Sequence, residues 1–151
     1  MSLFFYTMDA LKNILNNFLK LENGTVLFYT MDKNPFLQDL VAELNTKGQL
    51  HAGLLADGGQ LPDYSKASVE MFGKTPGPIK LFNTGDFWKS WNIELTLNGF
   101  FIDANAEKPD GTNLFRKYSE YGEILGLTDK NTEIFINQLI PNVIHEIMQS
   151  L

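Results

Sequence analysis

With 151 residues, 44% of them apolar and 20% charged, the chain has the length and composition of one globular domain able to bury a core, so disorder is not expected for its bulk. A net charge of -6 and no run of basic residues exclude a protein whose main work is gripping nucleic-acid phosphates, which takes clustered Lys and Arg to displace counterions. The absence of cysteine excludes disulfides, thiolate metal sites and a cysteine nucleophile. No stretch is long enough to cross a bilayer, and residues 1–20 lack a basic start, an unbroken apolar core and a small-residue cleavage site, so neither a secretion signal nor a membrane partner is expected.

Leu11, Ile14, Leu15, Phe18 and Leu19 fall at helical spacing over residues 9–21, with Asp9 as N-cap and a stop at Glu22-Asn23-Gly24. Thr25 to Thr30 is an apolar run of strand length. Asp32 or Asn34 with Pro35 then opens a helix through Leu37, Leu40, Val41 and Leu44. Phe5-Tyr6-Thr7-Met8-Asp9 recurs as Phe28-Tyr29-Thr30-Met31-Asp32, which reads either as a duplicated strand-turn-helix unit or as repeated use of one good strand-end and cap sequence. The Gly-rich, polar stretch from Asn45 to Asp63 predicts a long loop or hairpin of the kind that is often functional or mobile. A short helix from about Ser65 to Phe72 follows, stopped by Gly73 and Pro76-Gly77-Pro78.

Asn98-Gly99 is the preferred pair for a two-residue type I′ turn and predicts a hairpin from Asn92 to Asn105. That turn would pair Leu97 with Phe100, Leu95 with Ile102 and Ile93 with Ala104 on an apolar face. Thr96 would face Phe101, and Glu94 would face Asp103, on the other. Opposed like charges beside an outward Phe101 suggest either a solvated face or a partner-binding face whose acids meet Lys or Arg of another subunit. After a polar loop from Ala106 to Thr112, residues 113–121 read as helical and 122–126 as a turn. Thr128 or Asp129 caps a last helix with an apolar stripe of Ile136, Leu139, Ile140, Val143, Ile144, Ile147 and Leu151, in which Pro141 predicts a kink. The pattern is α+β in a single domain over 1–151: an antiparallel sheet with a central hairpin (92–105) flanked by helices and closed by a long C-terminal helix.

Signatures of chemistry are near-misses. Gly73-Lys74-Thr75 imitates the end of a phosphate loop, but Ser68 stands where the earlier Gly is needed and Pro76-Gly77-Pro78 cannot form the helix that would hold phosphate. His145-Glu146-Ile147-Met148-Gln149 puts Gln149 where a zinc helix needs its second His. Asp103, Asn105 and Glu107 alternate like the start of a calcium loop, but Lys108 replaces the Gly and Leu114 the closing Glu. No catalytic residue, metal or cofactor is assigned. A rival reading as a small metal-dependent hydrolase or nuclease would use Asp57, Asp63, Asp103 or Glu94, and a third is a host-directed interaction module.

The most informative stretch is Leu81-Phe82-Asn83-Thr84-Gly85-Asp86-Phe87-Trp88-Lys89-Ser90-Trp91. Thr84-Gly85 allows a sharp reversal, Asp86 favours a first helical turn, and Phe87, Trp88 and Trp91 are aimed either at the chain's own core or at a partner. In order, this element, the hairpin, Asn113-Leu114 through Tyr121-Gly122, Ile124-Leu125-Gly126-Leu127-Thr128-Asp129 and the terminal helix resemble bacteriophage tail-completion and head-to-tail joining proteins of the virion morphogenesis group. Leu44-Asn45-Thr46, Gln49-Leu50, Asp57-Gly58 and Tyr64-Ser65 look like the version seen in phages and prophages of Bacteroidetes. The likeness spans about residues 40 to 151 and leaves 1–40 as an N-terminal strand-helix extension outside the pattern. It implies a non-enzymatic subunit of the virion neck or tail, assembled in the host bacterial cytoplasm, that forms rings of six or twelve copies. Its neighbours would be portal, adaptor or tail-tube proteins, with DNA only as passing cargo. The interaction residues expected on this basis are Thr84, Gly85, Phe87, Trp88 and Trp91, with Glu94, Phe101 and Asp103 on the hairpin.

Overall fold

The computed structural model describes residues 25–150; the helix expected over 9–21 and the first copy of the Phe-Tyr-Thr-Met-Asp echo lie outside them. In chain order the elements are α1 (Thr25–Lys33), α2 (Pro35–Thr46), a 3-10 turn (Leu50–Ala52), α3 (Lys66–Phe72), α4 (Asp86–Lys89), β1 (Asn92–Thr96), β2 (Gly99–Asp103), α5 (Leu114–Lys117) and α6 (Asp129–Ser150). The fold is α+β, with a two-stranded antiparallel hairpin flanked by helices and a long C-terminal helix.

Residues 25–30 form a helix rather than a strand, which also removes the strand-turn-helix reading of the echo's second copy. A short apolar run suits either state, and packing decides between them. Met31 is fully buried, with Val26 and Leu27 packed in the same cluster. The Thr30 hydroxyl donates back to Val26 O at 2.7 Å, and Asn34 closes the helix by donating from backbone and side chain to Thr30 O. Pro35 then occupies the first turn of α2, where its missing N–H costs nothing. Met31 and Leu37, with Val26 and Leu27 against them, pack in the same hydrophobic cluster as β1 and α6.

One hydrophobic cluster joins Met31 of α1, Leu37 and Val41 of α2, Ile93 of β1 and Phe135, Leu139, Ile140 and Val143 of α6. Phe135, not Ile136, takes the buried place in the α6 stripe, and Leu151 lies outside the described residues. Thr128 caps α6 by accepting the Asn131 N–H at 3.3 Å, and the helix runs on through Pro141. A second cluster is built mainly from connecting segments: Leu50, Leu55, Leu61, Leu81, Ala106, Leu114 and Ile124, with Ile79, Phe87, Trp88, Trp91, Phe115 and Tyr118 against them. The stretch from Asn45 to Asp63 is thus a folded-in part of the core. Its turn is closed by Leu55 N–H to Gly59 O at 2.8 Å and anchored by Ala56 N–H to Glu123 O at 2.9 Å. Helix α5 is shorter than the expected 113–121. Asn113 caps it, but Leu114 alone is buried and the chain turns at Tyr118–Tyr121 before Gly122.

The hairpin forms with a different register from the one the Asn-Gly pair suggests. Observed pairs are Asn92–Asp103, Ile93–Ile102, Glu94–Phe101, Leu95–Phe100 and Thr96–Gly99, so the turn residues are Leu97 and Asn98. Neither has positive φ, which rules out a type I′ turn; the positive φ, 148°, falls on Gly99. Thr96 organises this turn, its hydroxyl accepting the Asn98 N–H and donating to Gly99 O, both at 3.2 Å. A shift of two residues leaves the strand side chains on their expected faces, so Ile93, Leu95, Phe100 and Ile102 still pack on the helices, but it moves Leu97 from the apolar face into the turn, where it is exposed. The shift also separates the acids: Glu94 now faces Phe101, and Asp103 faces Asn92.

This geometry predicts that Gly99→Ala destabilises the chain by about 1–3 kcal/mol, the usual range for forcing a side chain into sparsely populated backbone space. Asn98→Ala, at a position of ordinary φ, should change stability by less than about 0.5 kcal/mol. Urea denaturation of the two variants checks the ordering, and a reversed order contradicts the register.

Candidate interaction surfaces

The Leu81–Trp91 stretch begins with a strained residue: Leu81, at φ 53°, is the one non-glycine with positive φ among the described residues. Its burial in the second cluster holds it there. Next comes the Thr84–Gly85 turn, where the Thr84 hydroxyl donates to the Asp86 carboxylate at 2.6 Å and accepts the Asp86 N–H at 3.3 Å. Gly85, at φ 88°, leads into α4, and a Cβ there would lie 3.2 Å from the Phe82 ring.

From this turn the aromatics part company. Trp91 points into the molecule, donating its indole N–H to Asn45 Oδ1 at 3.3 Å with its ring 4.8 Å from Phe87. Trp88 donates to Lys80 O at 3.0 Å and meets Phe82 edge-on at 5.0 Å. Both tryptophans therefore have packing roles, and Trp88 keeps one flank on a cleft.

Phe82, Lys74, Asn83 and Tyr64 form a wall between two concavities. On one side is a groove of about 440 Å³ whose lining includes Leu81, Thr84, Gly85, Phe87, Leu114 and Tyr118. Its charges are mixed: Asp86 and Glu107 accompany Lys74 and Lys108. Near it, Asp110 has its carboxyl held below the ordinary carboxylate range, first by the Thr112 backbone N–H. On the other side is a cleft of about 390 Å³ lined by His51, Tyr64, Gly73, Lys74, Thr75, Lys80, Phe82, Asn83 and Trp88.

The structure thus brings Thr84, Gly85 and Phe87 to the groove and Trp88 to the cleft, sends Trp91 inward, and leaves Glu94, Phe101 and Asp103 together on the hairpin's outer face. Phe101 is 65% exposed there. Lys74, Lys80, His51 and Tyr64 were not singled out from the sequence as interaction residues. Tyr64 and Lys74 belong to an arm, residues 63–78, closed at its base by Tyr64 N–H to Gly77 O and Ile79 N–H to Pro62 O, both at 2.9 Å; Lys80 follows it, and His51 reaches the same cleft from the 3-10 turn. The arm carries α3, capped by the Ser65 hydroxyl and ended by Gly73 at φ 63°, and leaves Met71 and Phe72 about three-quarters exposed, at 74% and 73%. Lys74, the residue of the phosphate-loop look-alike, bonds Phe82 O at 3.1 Å and Asn83 Oδ1 at 3.0 Å and sits over the Tyr64 ring.

Of the carboxylates of the rival enzymatic reading, Glu94 and Asp103 share the outer face of the hairpin, while Asp57 and Asp63 lie on other segments. Asp57 accepts the Gly59 N–H at 2.9 Å and packs on Gly122, Asp63 is at the base of the arm, and Glu94 and Asp103 are on the hairpin. Among the described residues no group of three or more His, Asp or Glu gathers to hold a metal ion. No family model, curated protein or solved structure matches this chain.

Gly85→Ala should lower stability by about 1–3 kcal/mol through backbone strain and displace the Phe82 ring. The second effect is read as an altered near-UV circular dichroism band, since Phe82 abuts Trp88. An unchanged spectrum with unchanged stability would contradict the turn as described.

Proposed function

We propose that this chain is a structural protein of a bacteriophage virion, a tail-completion or head-to-tail connector subunit that acts by oligomeric assembly in the neck. The reading starts from the resemblance in its motifs, and one observation carries it further. Motif pieces far apart in sequence meet in a single buried joint. Asn45 donates to Ile124 O at 3.0 Å and accepts the Gly126 N–H at 2.9 Å, 79 and 81 positions away. Gln49 donates to Gly126 O and accepts the Thr128 N–H, both at 2.9 Å. Leu44-Asn45-Thr46, Gln49-Leu50 and Gly126-Leu127-Thr128 are therefore shape-determining residues, as suits a subunit whose work is to present surfaces.

Those surfaces are apolar where an isolated domain has no use for it: Phe101 and Leu97 on the hairpin, Met71 and Phe72 on the arm. Ring subunits need two different patches, since closed rings of more than two copies use heterologous contacts. Portal, adaptor or tail-tube proteins are the neighbours on this reading, DNA passes without being held, and the protein resides in the virion after assembly in the host cytoplasm.

Peptide mass spectrometry of gradient-purified particles from the phage or prophage encoding the chain tests this. The expected result is a few to a dozen copies relative to the portal protein. Absence from particles that contain portal and tail proteins would refute it.

A further inference from the structure

The smaller cleft has an unusual balance of charge for a chain of net charge -6. Its lining includes the basic residues Lys74 and Lys80, His51 and the aromatic residues Tyr64, Phe82 and Trp88, and no Asp or Glu at all. The adjoining groove, which shares the Phe82 and Lys74 wall, has Asp86 and Glu107 to offset its lysines. The two ion pairs among the described residues are Lys33–Glu146 and Lys47–Glu43, so neither cleft lysine is paired with a carboxylate among those residues.

The framework of the cleft is fixed. Lys80 is held on both sides of its Cα, its N–H donating to the Tyr64 hydroxyl at 3.3 Å and its carbonyl accepting from Trp88 at 3.0 Å. Lys74 is tied down by Phe82 O and Asn83, while His51 stands edge-on to Trp88. Such a concavity suits an occupant with an aromatic ring flanked by negative charge: the ring packs on Phe82 and Trp88, and the charges meet the ammonium groups.

The chain itself displays that occupant. On the outer face of the hairpin, Phe101 projects beside its cross-strand partner Glu94, with Asp103 two positions along the same face. Phe101 takes part in none of the ring contacts among the described residues, and neither acid is in an ion pair there. Register matters here: had Glu94 faced Asp103, the acids would have repelled each other across the strands, whereas the observed pairing sets them on the diagonal with Phe101 adjacent to both.

We infer that Phe101, with Glu94 and Asp103, of one copy docks into the Lys74–Lys80–His51 cleft of a second copy. Cleft and hairpin are different patches, so the contact is head-to-tail: each copy offers a hairpin to one neighbour and a cleft to the other, and repetition gives a closed ring or an open filament. The inference rests on the assembly reading above and specifies its subunit contact.

Photo-crosslinking of the purified chain tests it. A chain with Phe101 replaced by p-benzoyl-phenylalanine, mixed with isotope-labelled wild type and irradiated, should yield crosslinks between copies that map to the labelled segment 72–88. Lys74→Glu with Lys80→Glu, and separately Glu94→Lys with Asp103→Lys, should each lower the yield about tenfold by placing like charges together. Mixing the two charge-reversed chains should restore it, which a folding defect could not do.

Crosslinks that map elsewhere, or no intermolecular crosslink, would overturn the proposal. If the chain is nonetheless found in particles, the structural role stands and only this contact falls. Binding of a fluorescent oligothymidylate that is lost in the Lys74→Glu, Lys80→Glu chain, without crosslinks between copies, would assign the cleft to single-stranded nucleic acid and also overturn it.

Discussion

Two buried amides, Asn45 and Gln49, hold together what would otherwise be two separate hydrophobic clusters. Both are fully buried, and both send their bonds from the end of α2 to the segment that leads into α6. Asn45 also takes the Trp91 indole N–H, and Gln49 Oε1 accepts from Asn131, which in turn donates to Leu44 O. Each bond is worth only about 1 kcal/mol net, but leaving one of these buried groups unpaired costs about 1–3 kcal/mol. The network is therefore strict about geometry even where its net energy is modest. No buried side-chain nitrogen or oxygen among the described residues lacks a partner.

The position of the surfaces follows from that joint. The hairpin lies on the helical cluster through Ile93, Leu95, Phe100 and Ile102. The cleft and groove are carved into the second cluster, whose parts are mostly loops. Loops do not hold a surface in place by ladder hydrogen bonds, so the second cluster takes its fixed position from Asn45, Gln49 and Trp91. Strain is tolerated in the same region: Leu81 keeps its left-handed backbone because its side chain is packed, and that backbone sets the direction in which Phe82 leaves to become the wall between the two concavities. The docking proposed between copies would need this kind of rigidity between its patches.

The sequence was informative where one periodicity or one cap decided the outcome. Helices α2, α3 and α6 were legible from Pro35, from Ser65 with Gly73, and from Thr128 with the Leu139, Ile140, Val143 spacing. Residues 25–30 were misread because an apolar run of six carries no period, and α6 supplies the face that makes it helical. Asn98-Gly99 gave a hairpin in the right place with the wrong register, because Thr96 provides a local hydroxyl turn that outcompetes the two-residue glycine turn. The cleft was invisible for a different reason. His51 comes from the 3-10 turn, Tyr64 from the segment before α3 and Lys74 and Lys80 from the segment after it, and no local pattern in the sequence relates the three. Of the candidate residues, the hairpin group of Glu94, Phe101 and Asp103 was readable from strand alternation alone; the division of Phe87, Trp88 and Trp91 among groove, cleft and core was not.

The central claim is that the buried amide joint makes the helical cluster and the loop-built cluster one cooperative body, holding hairpin and cleft in a fixed relation. Native-state hydrogen exchange resolved by residue tests it most directly, at the Gly126 and Thr128 amides that Asn45 and Gln49 accept. The account predicts that these two exchange only through global unfolding, with the same opening free energy as the amides around Leu139 and Val143 in α6. Exchange through a cheaper opening that frees residues 50–125 while α6 stays protected would contradict it.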